Sequence, residues 1–508
     1  MKNIKMINTM NSKQYVAAVP VRAESGERNA YPIFIRCLLE TPMSLLRWAG
    51  WAFGSLAMLA IPALCSAQAA EIGEMTPAAA LTNSTSQTQT SEIEDWNIHG
   101  QATYVWQKHP GFRAAYTGTN SLTPAKDFSY TLTETVFIGK RLWQDGEFYL
   151  DSEILQAKPF TGNLVGFGTV SNGEVTRSAG SDPKLYIPRL FLRQTWNSGG
   201  ETQLVKSGAN QLSGTVQANR FVLTLGKFST LDIFDNNAYA KDPRTQFMNA
   251  ANMASSAFDY ASDSRGYGWG FAGEWYRDEW VLRFGRMTPP HEPNGVFSDY
   301  RILQHYGDQV EVERAHNLGG QPGKVRILAW RNKAHLSSFQ DALNELRAHP
   351  GLDPQTILRM RLGERVKYGL GINVEQALTE NAGVFLRAMA ADGKSETHAF
   401  TEVDGSLAMG ASIKGAYWGR AEDTLGIALM RNTISDDRRN FLEAGGISYF
   451  IGDGALRYRP ETIFEGFYSL NVYKGAWLTG DYQRFANPAY NADRGPINVY
   501  SIRLHAEF

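Results

Sequence analysis

The chain has 508 residues, enough for two or three soluble domains or for one large barrel. Hydrophobic residues make up 43% and the mean hydropathy is −0.33, which excludes a bundle of transmembrane helices. Lys plus Arg (50) nearly cancels Asp plus Glu (51), so no nucleic-acid partner is indicated, while 12% aromatics and 48 glycines suit twisted strands and interfacial belts.

Residues 48–65 form an apolar run behind Arg36 and Arg47, and Ala67-Gln68-Ala69 supplies a small-x-small cleavage pattern. Residues 1–69 therefore read as an export signal with a long front, Met43 being an alternative start. The run is short for a membrane anchor and contains Pro62, and Leu64 before Cys65 replaces the small residue that lipoprotein processing needs. Both cysteines, Cys37 and Cys65, fall in this segment, so its removal leaves no disulfide, thiolate or cysteine metal chemistry. Residues 70–93, rich in Ala, Ser, Thr and Gln, read as a flexible periplasmic leader, and 94–508 as one β domain.

From Glu94 short turns alternate with long connections. Tight joints are expected at 142–146, 276–279, 379–381 and 420–423, and long pieces at 108–127, 157–184, 229–265, 288–306, 334–364, 392–404 and 435–461. Segment 197–219 is too long and polar for a tight turn. Outer-membrane barrels show this asymmetry, with turns at the periplasmic end and loops outside. Trp143, Trp196, Trp275, Trp280, Trp418 and Trp477 fall at the short-turn ends and read as an interfacial girdle. Within the long pieces, Ser337–Ala348 is predicted helical, with Phe339, Leu343 and Leu346 on one face and a serine N-cap; 436–444 is a second, shorter candidate.

The chain ends on a period-2 strand. Tyr500, Ile502, Leu504, Ala506 and Phe508 alternate with Ser501, Arg503, His505 and Glu507. An edge strand of a β-sandwich is one reading; a closing barrel strand that pairs with the first strand is the other. Counting segments of about ten residues gives about sixteen strands, an even number that fits closure. The fold expected is an all-β transmembrane antiparallel barrel.

No Gly-x-Ser-x-Gly elbow, His-Glu-x-x-His, Walker loop or dinucleotide fingerprint occurs, and the nine histidines show no metal-ligand spacing, so no catalytic residue, metal ligand or cofactor is assigned. Charge recurs on the phase opposite the apolar one. Glu153 shares its phase with Glu147, Tyr149 and Asp151; Arg189 and Arg193 oppose Leu190 and Leu192; Glu311 and Glu313 oppose Val310 and Val312. Arg326 opposes Val325 and Ile327, with Trp330 in its phase, and Asp481 and Gln483 oppose Leu478 and Tyr482. With Arg387, Glu465 and Arg503, these are the candidate groups lining a wet lumen, where they would hydrogen-bond hydroxyl-rich solutes.

The chain resembles the carbohydrate-selective porins, the OprB-type sugar porins of Gram-negative outer membranes. The resemblance rests on the order of His99-Gly100-Gln101-Ala102-Thr103, the run 116–122, Leu225-Gly226-Lys227-Phe228, Phe234-Asp235-Asn236-Asn237 and Gln246-Phe247-Met248-Asn249. It continues in Gly323-Lys324-Val325-Arg326, Asp341-Ala342, Glu465, Tyr468, the run 478–483 and Asn487-Pro488. It implies passive uptake of mono- or oligosaccharides through a monomeric or trimeric sixteen-strand barrel whose third outer loop folds into the pore. Residues 229–265 occupy that place, with Asp232, Asp235, Asn236, Asn237 and Arg244 as constriction groups. The sequence departs from the family at its long front and at Gly480, where related chains often have Pro. Expected partners are carbohydrates, outer-membrane lipid and lipopolysaccharide, and the barrel-assembly machinery through the strand ending at Phe508. Two other readings are an outer-membrane or secreted enzyme acting on glycosides with paired carboxylates, and a polysaccharide-exporting barrel, which would favour a basic lumen.

Overall fold

A computed structural model describes residues 93–177, 180–353, 358, 363–399 and 401–508. The export signal and nearly all of the leader lie outside them.

The strands are β1 (Trp96–His109), β2 (Asp127–Trp143), β3 (Gly146–Lys158), β4 (Lys184–Tyr186), β5 (Leu190–Val205) and β6 (Gly214–Phe228). There follow β7 (Gly268–Arg277), β8 (Trp280–Met287), β9 (Tyr306–Leu318), β10 (Gln321–His335), β11 (Glu364–Thr379) and β12 (Ala382–Ala391). The last are β13 (Gly405–Lys414), β14 (Thr424–Thr433), β15 (Glu461–Tyr473), β16 (Ala476–Ala486) and β17 (Ile497–Glu507). Each pairs antiparallel with its neighbour, and β17 returns to β1 from Gln101↔Glu507 to Lys108↔Tyr500. Sixteen strands thus close a ring, and β4 is an extra piece.

Period-2 alternation explains the ring. In β17 the apolar Tyr500, Ile502 and Leu504 are exposed, while Ser501, Arg503 and His505 are buried. β9 and β11 repeat this inverted pattern: Val310, Val312, Leu370 and Ile372 face out, and Glu311, Glu313, Asn373 and Glu375 face in. A water-soluble sheet would expose the charges; only a lipid exterior favours this arrangement. At the seam, Gly100 and Phe508 exchange backbone hydrogen bonds of 2.8 and 3.0 Å, and the Phe508 ring occupies the space a Cβ on residue 100 would need.

Short turns gather at one end, as predicted, with three corrections. The connection from β13 to β14 spans 415–423 and contains a 3-10 turn, Gly415–Trp418, so it is longer than the four residues expected. Segment 197–219 is largely strand: β5 and β6 run on through irregular pairings at Asn197, Gly199 and Thr202, and only 206–213 connects them. Trp143, Trp196, Trp275, Trp280 and Trp418 are exposed in the girdle, but Trp477 shares the inward phase of Thr479 and Asp481 and lies against His505, ring centroids 5.8 Å apart.

β4 pairs with the outer half of β3 (Glu153↔Tyr186), and β5 pairs with the inner half (Gly146↔Gln194 to Leu150↔Leu190). Pro188, which has no N–H to donate, stands in the break between them. Three short helices sit among the described loop residues: α1 (Ala250–Met253), α2 (Phe339–Ala348) and α3 (Asp436–Glu443). The last two are the predicted ones, capped by Ser338 and Ser435, and they pack through Phe339 and Phe441 at 5.5 Å.

Closure is testable covalently. Tyr104 and Leu504 are register partners on the outer face. Cysteines at both positions should oxidise to a cross-link across the seam, giving a faster-migrating species in non-reducing gels after boiling; reductant should abolish it. Failure to cross-link under oxidant would mean that β1 and β17 are not adjacent.

Candidate solute pathway

The interior is organised by L3, the loop 229–267 between β6 and β7. Ser229 and Asp232 form a reciprocal cap on the short turn Thr230–Asp232 that starts it. Beyond that turn the loop crosses the barrel, and inward-phase side chains hold its backbone. Glu311 accepts from the Asp235 N–H at 2.8 Å, and Glu375 from the Ala238 N–H at 2.8 Å. Arg387 donates to the carbonyls of Asn252 and Asp235 at 2.8 and 2.9 Å. Glu465 accepts from the Met248 and Asn249 N–H groups at 2.5 and 3.2 Å, and from the Asn252 amide at 2.8 Å. Arg503 donates to the carbonyls of Pro243, Gln246 and Thr245 at 2.7–3.0 Å. Gln483 accepts from Asn249 at 3.0 Å and is bonded to Asp481.

Side chains of L3 complete the attachment. Asp235 accepts from Asn373 at 2.7 Å, and Asn237 donates to Asn373 at 2.8 Å; Asn236 contributes its carbonyl to the same amide. Arg244 bridges Glu153 of β3 at 2.6 Å and Glu174 of L2, the loop 159–183, at 2.7 Å. Burial pushes the Glu174 carboxyl up, but Arg177 and Arg244 outweigh it and hold the group below its ordinary range. The wall carries its own relay: Arg283 pairs with Glu274, Glu311 and Glu313 at 2.8–3.0 Å, and Arg326 joins Glu313 and Glu375 at 2.7 and 3.1 Å. Trp330 is buried against Phe258 of L3.

Of the residues picked from sequence, Glu153, Glu311, Glu313, Arg326, Trp330, Arg387, Glu465, Asp481, Gln483, Arg503, Asp235, Asn237 and Arg244 are thus buried, and most engage L3 or one another. Arg189, Arg193, Asp232 and Asn236 keep part of their surface open. The first three define a column between L3 and the β3–β5 wall. Arg189 binds Asp232 at 2.6 Å and Asp151 at 2.9 Å, and its guanidinium lies 5.2 Å from the Tyr267 ring. Below it, Asn210 donates to Asp151 at 3.0 Å and offers its carbonyl to Arg193 at 3.1 Å. Arg193 in turn faces Tyr149 at 5.0 Å and Glu147 at 3.9 Å. Burial pushes the Asp232 carboxyl up, but Arg189 beside it outweighs burial, so the net shift is downward.

Arg283, Glu375 and Asn373 were missed, although each lies on the inward phase and period 2 alone would have found them. Glu174, Arg177, Tyr267 and Asn210 lie on loops, where the sequence carries no periodic signal. Segment 206–213 turns back into the short-turn mouth: Asn97 donates to the Gln211 carbonyl at 2.8 Å, and the Leu212 N–H donates to the Tyr149 hydroxyl at 3.1 Å.

A closed sixteen-strand ring with an apolar outside, a charged inside and one loop tied across the lumen defines an outer-membrane porin. The chain belongs to the carbohydrate-selective porin, OprB family, whose family model matches residues 120–508. No curated protein matches it. Among solved structures, the high-pH form of Pseudomonas putida OprB aligns with TM-score 0.62 and 14% identity, covering 82% of this chain and 94% of that one. Its low-pH form gives TM-score 0.43, 11% identity and coverages of 82% and 93%. The Acinetobacter baumannii channel DcaP gives 0.45, 10%, 82% and 97%. The first of these likenesses supports the fold.

The lowered carboxyl of Glu174 sets a pH dependence. A carboxylate held below its ordinary pKa contributes its full stabilisation above that value and loses it as pH falls through the lowered one. The L2–L3 tie should therefore be intact at pH 7 and loosen in acid below about pH 4.5, the ordinary glutamate range. Single-channel current noise should rise on acidification, and Arg244→Ala should show the same noise at pH 7. Identical traces for the two proteins at pH 7 would count against the tie.

Proposed function

We propose that sugars cross this barrel passively along the column formed by Arg189, Asp232, Asn210 and Arg193, with Asp151 buried behind it and with weak selectivity among mono- and oligosaccharides. The observation that carries this reading is the partial openness of Arg189, Asp232 and Arg193, three charged side chains brought together between L3 and the β3–β5 wall: side-chain exposures are 17%, 29% and 24%. Alternating cations and acids offer donors and acceptors to hydroxyls without a net field that would select an ion, and the buried rings of Tyr267 and Tyr149 back the two arginines. Binding must be loose for a solute to leave again, and groups already paired with each other meet that need. The chain is a channel rather than an enzyme, and its place is the outer membrane. The reading extends to export with cleavage after Ala69, insertion guided by the strand ending at Phe508, and work among lipid and lipopolysaccharide, singly or as three copies. The buried members of the predicted lining act in it indirectly, by keeping L3 in position.

Planar-bilayer recording tests it. Neutral saccharides should reduce the current of the native porin in a concentration-dependent way. Arg189→Ala with Arg193→Ala should weaken that block about 10-fold, the effect of losing roughly 1.4 kcal/mol of charge-assisted hydrogen bonding. Unchanged block in the double variant would reject the column as the path. Glu465→Ala should instead raise the open conductance, since it frees the backbone of L3 at Met248 and Asn249; an unaltered conductance would show that L3 does not limit flow.

A further inference from the structure

At the outer rim, three adjacent strands bring together side chains far apart in sequence. His335 closes β10 and Glu364 opens β11, and the two are register partners. His305 immediately precedes β9, at the end of L4, the loop 288–305. One ligand atom from each lies within 4.8 Å of the others. His305 is buried, its imidazole edge-on to that of His335 with centroids 4.8 Å apart, while His335 and Glu364 are exposed and free to adjust.

The decisive feature is the second nitrogen of His305. Nδ1 lies 2.6 Å from the Asp299 carboxylate, which two side-chain bonds and one backbone bond from Arg301 hold in place. Arg301 also comes within 3.3 Å of Nδ1, but it is a donor, so the proton on Nδ1 goes to Asp299. The Nε2 lone pair is then aimed at Glu364 Oε1, 3.2 Å away. Two acceptors facing each other require a positive species between them: a second proton or a metal ion. An imidazole oriented by a carboxylate through its far nitrogen is the usual outer-shell arrangement of a metal-ligating histidine. Lys333 sits 2.8 Å from the other oxygen, Oε2, and leaves Oε1 directed at His305.

We propose that His305, His335 and Glu364 form a site for a divalent transition metal of the Zn2+ class. Two imidazoles and one carboxylate, with a fourth position open to water, suit that ion's ligand preference, and the oxygen-seeking Ca2+ and Mg2+ are poorly served by them. Bonds of about 2.0–2.2 Å place tetrahedral ligands roughly 3.3 Å apart, so the exposed His335 needs to close by about 1.5 Å or less. The ion would pin L4 to β10 and β11. L4 in turn touches L3, where the Ser264 N–H donates to the Gly295 carbonyl at 2.8 Å, and L6 (392–404), where the Asn294 N–H donates to that of His398 at 2.9 Å.

The porin purified in detergent, stripped with chelator and titrated with Zn2+ against a chromophoric competitor, should bind one ion per chain. Co2+ should give the visible absorption of a four-coordinate site. Asp299→Asn should weaken Zn2+ binding about 10–100-fold, as loss of an orienting carboxylate does elsewhere. His335→Ala should abolish the Co2+ band, while Lys333→Ala, which removes a competing cation, should tighten binding. Heat-modifiable gel mobility would establish that each variant still forms its barrel. Absence of stoichiometric binding in the folded native protein, or binding that His335→Ala leaves unchanged, would overturn the site.

Discussion

Everything in this protein depends on the requirement that no backbone N–H or C=O be left unpaired in lipid. Each such group exposed to hydrocarbon costs several kcal/mol, so a sheet in a bilayer has to be a ring. The pairing of β1 with β17 satisfies that requirement. It also explains the aromatic terminus, since Phe508 lies over Gly100 where the ladder ends and a larger residue would displace it. Once closed, the ring separates two solvents, and the same alternation that sends Ile502 and Leu504 outward sends Arg503 and His505 inward.

Closure creates a second problem, because a sixteen-strand cylinder is too wide for side chains alone to fill. L3 occupies that space, and an irregular backbone inside a barrel has its own hydrogen-bonding needs. The wall supplies them asymmetrically. Carboxylates from β9, β11 and β15 accept from loop N–H groups, and guanidinium groups from β12 and β17 donate to loop carbonyls. A buried charge is tolerated only with partners, and here the partners include, beside opposite charges such as Arg283 and Arg326, backbone groups of L3 that would otherwise lack one. Loop and wall therefore stabilise each other, and neither arrangement makes sense without the other.

This mutual dependence also marks what was legible in the sequence. Strand number, the sidedness of turns and loops, the outward apolar band and the two capped helices all follow from local signals: period 2, turn residues, and a serine before an amphipathic run. The inward phase was legible too, down to Glu311, Arg326, Arg387 and Arg503. Their task was not. Nothing local distinguishes a charge facing water from one facing a loop carbonyl; that depends on where a segment hundreds of residues away comes to rest. The same blindness hid the fold-back of 206–213, since Leu212 gains its buried place only because Tyr149 and Gly139 form the mouth beneath it. Trp477 misled for a related reason: tryptophan at a strand end is compatible with either phase, and its neighbour Leu478 already covers the lipid side. Histidines 305 and 335 are neighbours only because β9 and β10 pair and His305 stands in the loop just before β9.

A channel for neutral solutes faces an opposite demand from one for ions. A strong field of one sign would raise the local concentration of counter-ions and obstruct a sugar, which brings no charge to offset them. In this interior the charges are spent on each other. Arg283 and Arg326 run between four glutamates, Arg244 between two, and Arg189 between Asp232 and Asp151. What remains for a passing solute is a set of dipole-like pairs whose hydrogen-bonding capacity is incompletely used. Such a surface replaces the water around a hydroxyl group at little gain and little loss, and that near-balance is what permits flow in the direction of the gradient. The density of ion pairs inside the barrel is therefore consistent with weak binding of the solute, because these charges are already bound to one another.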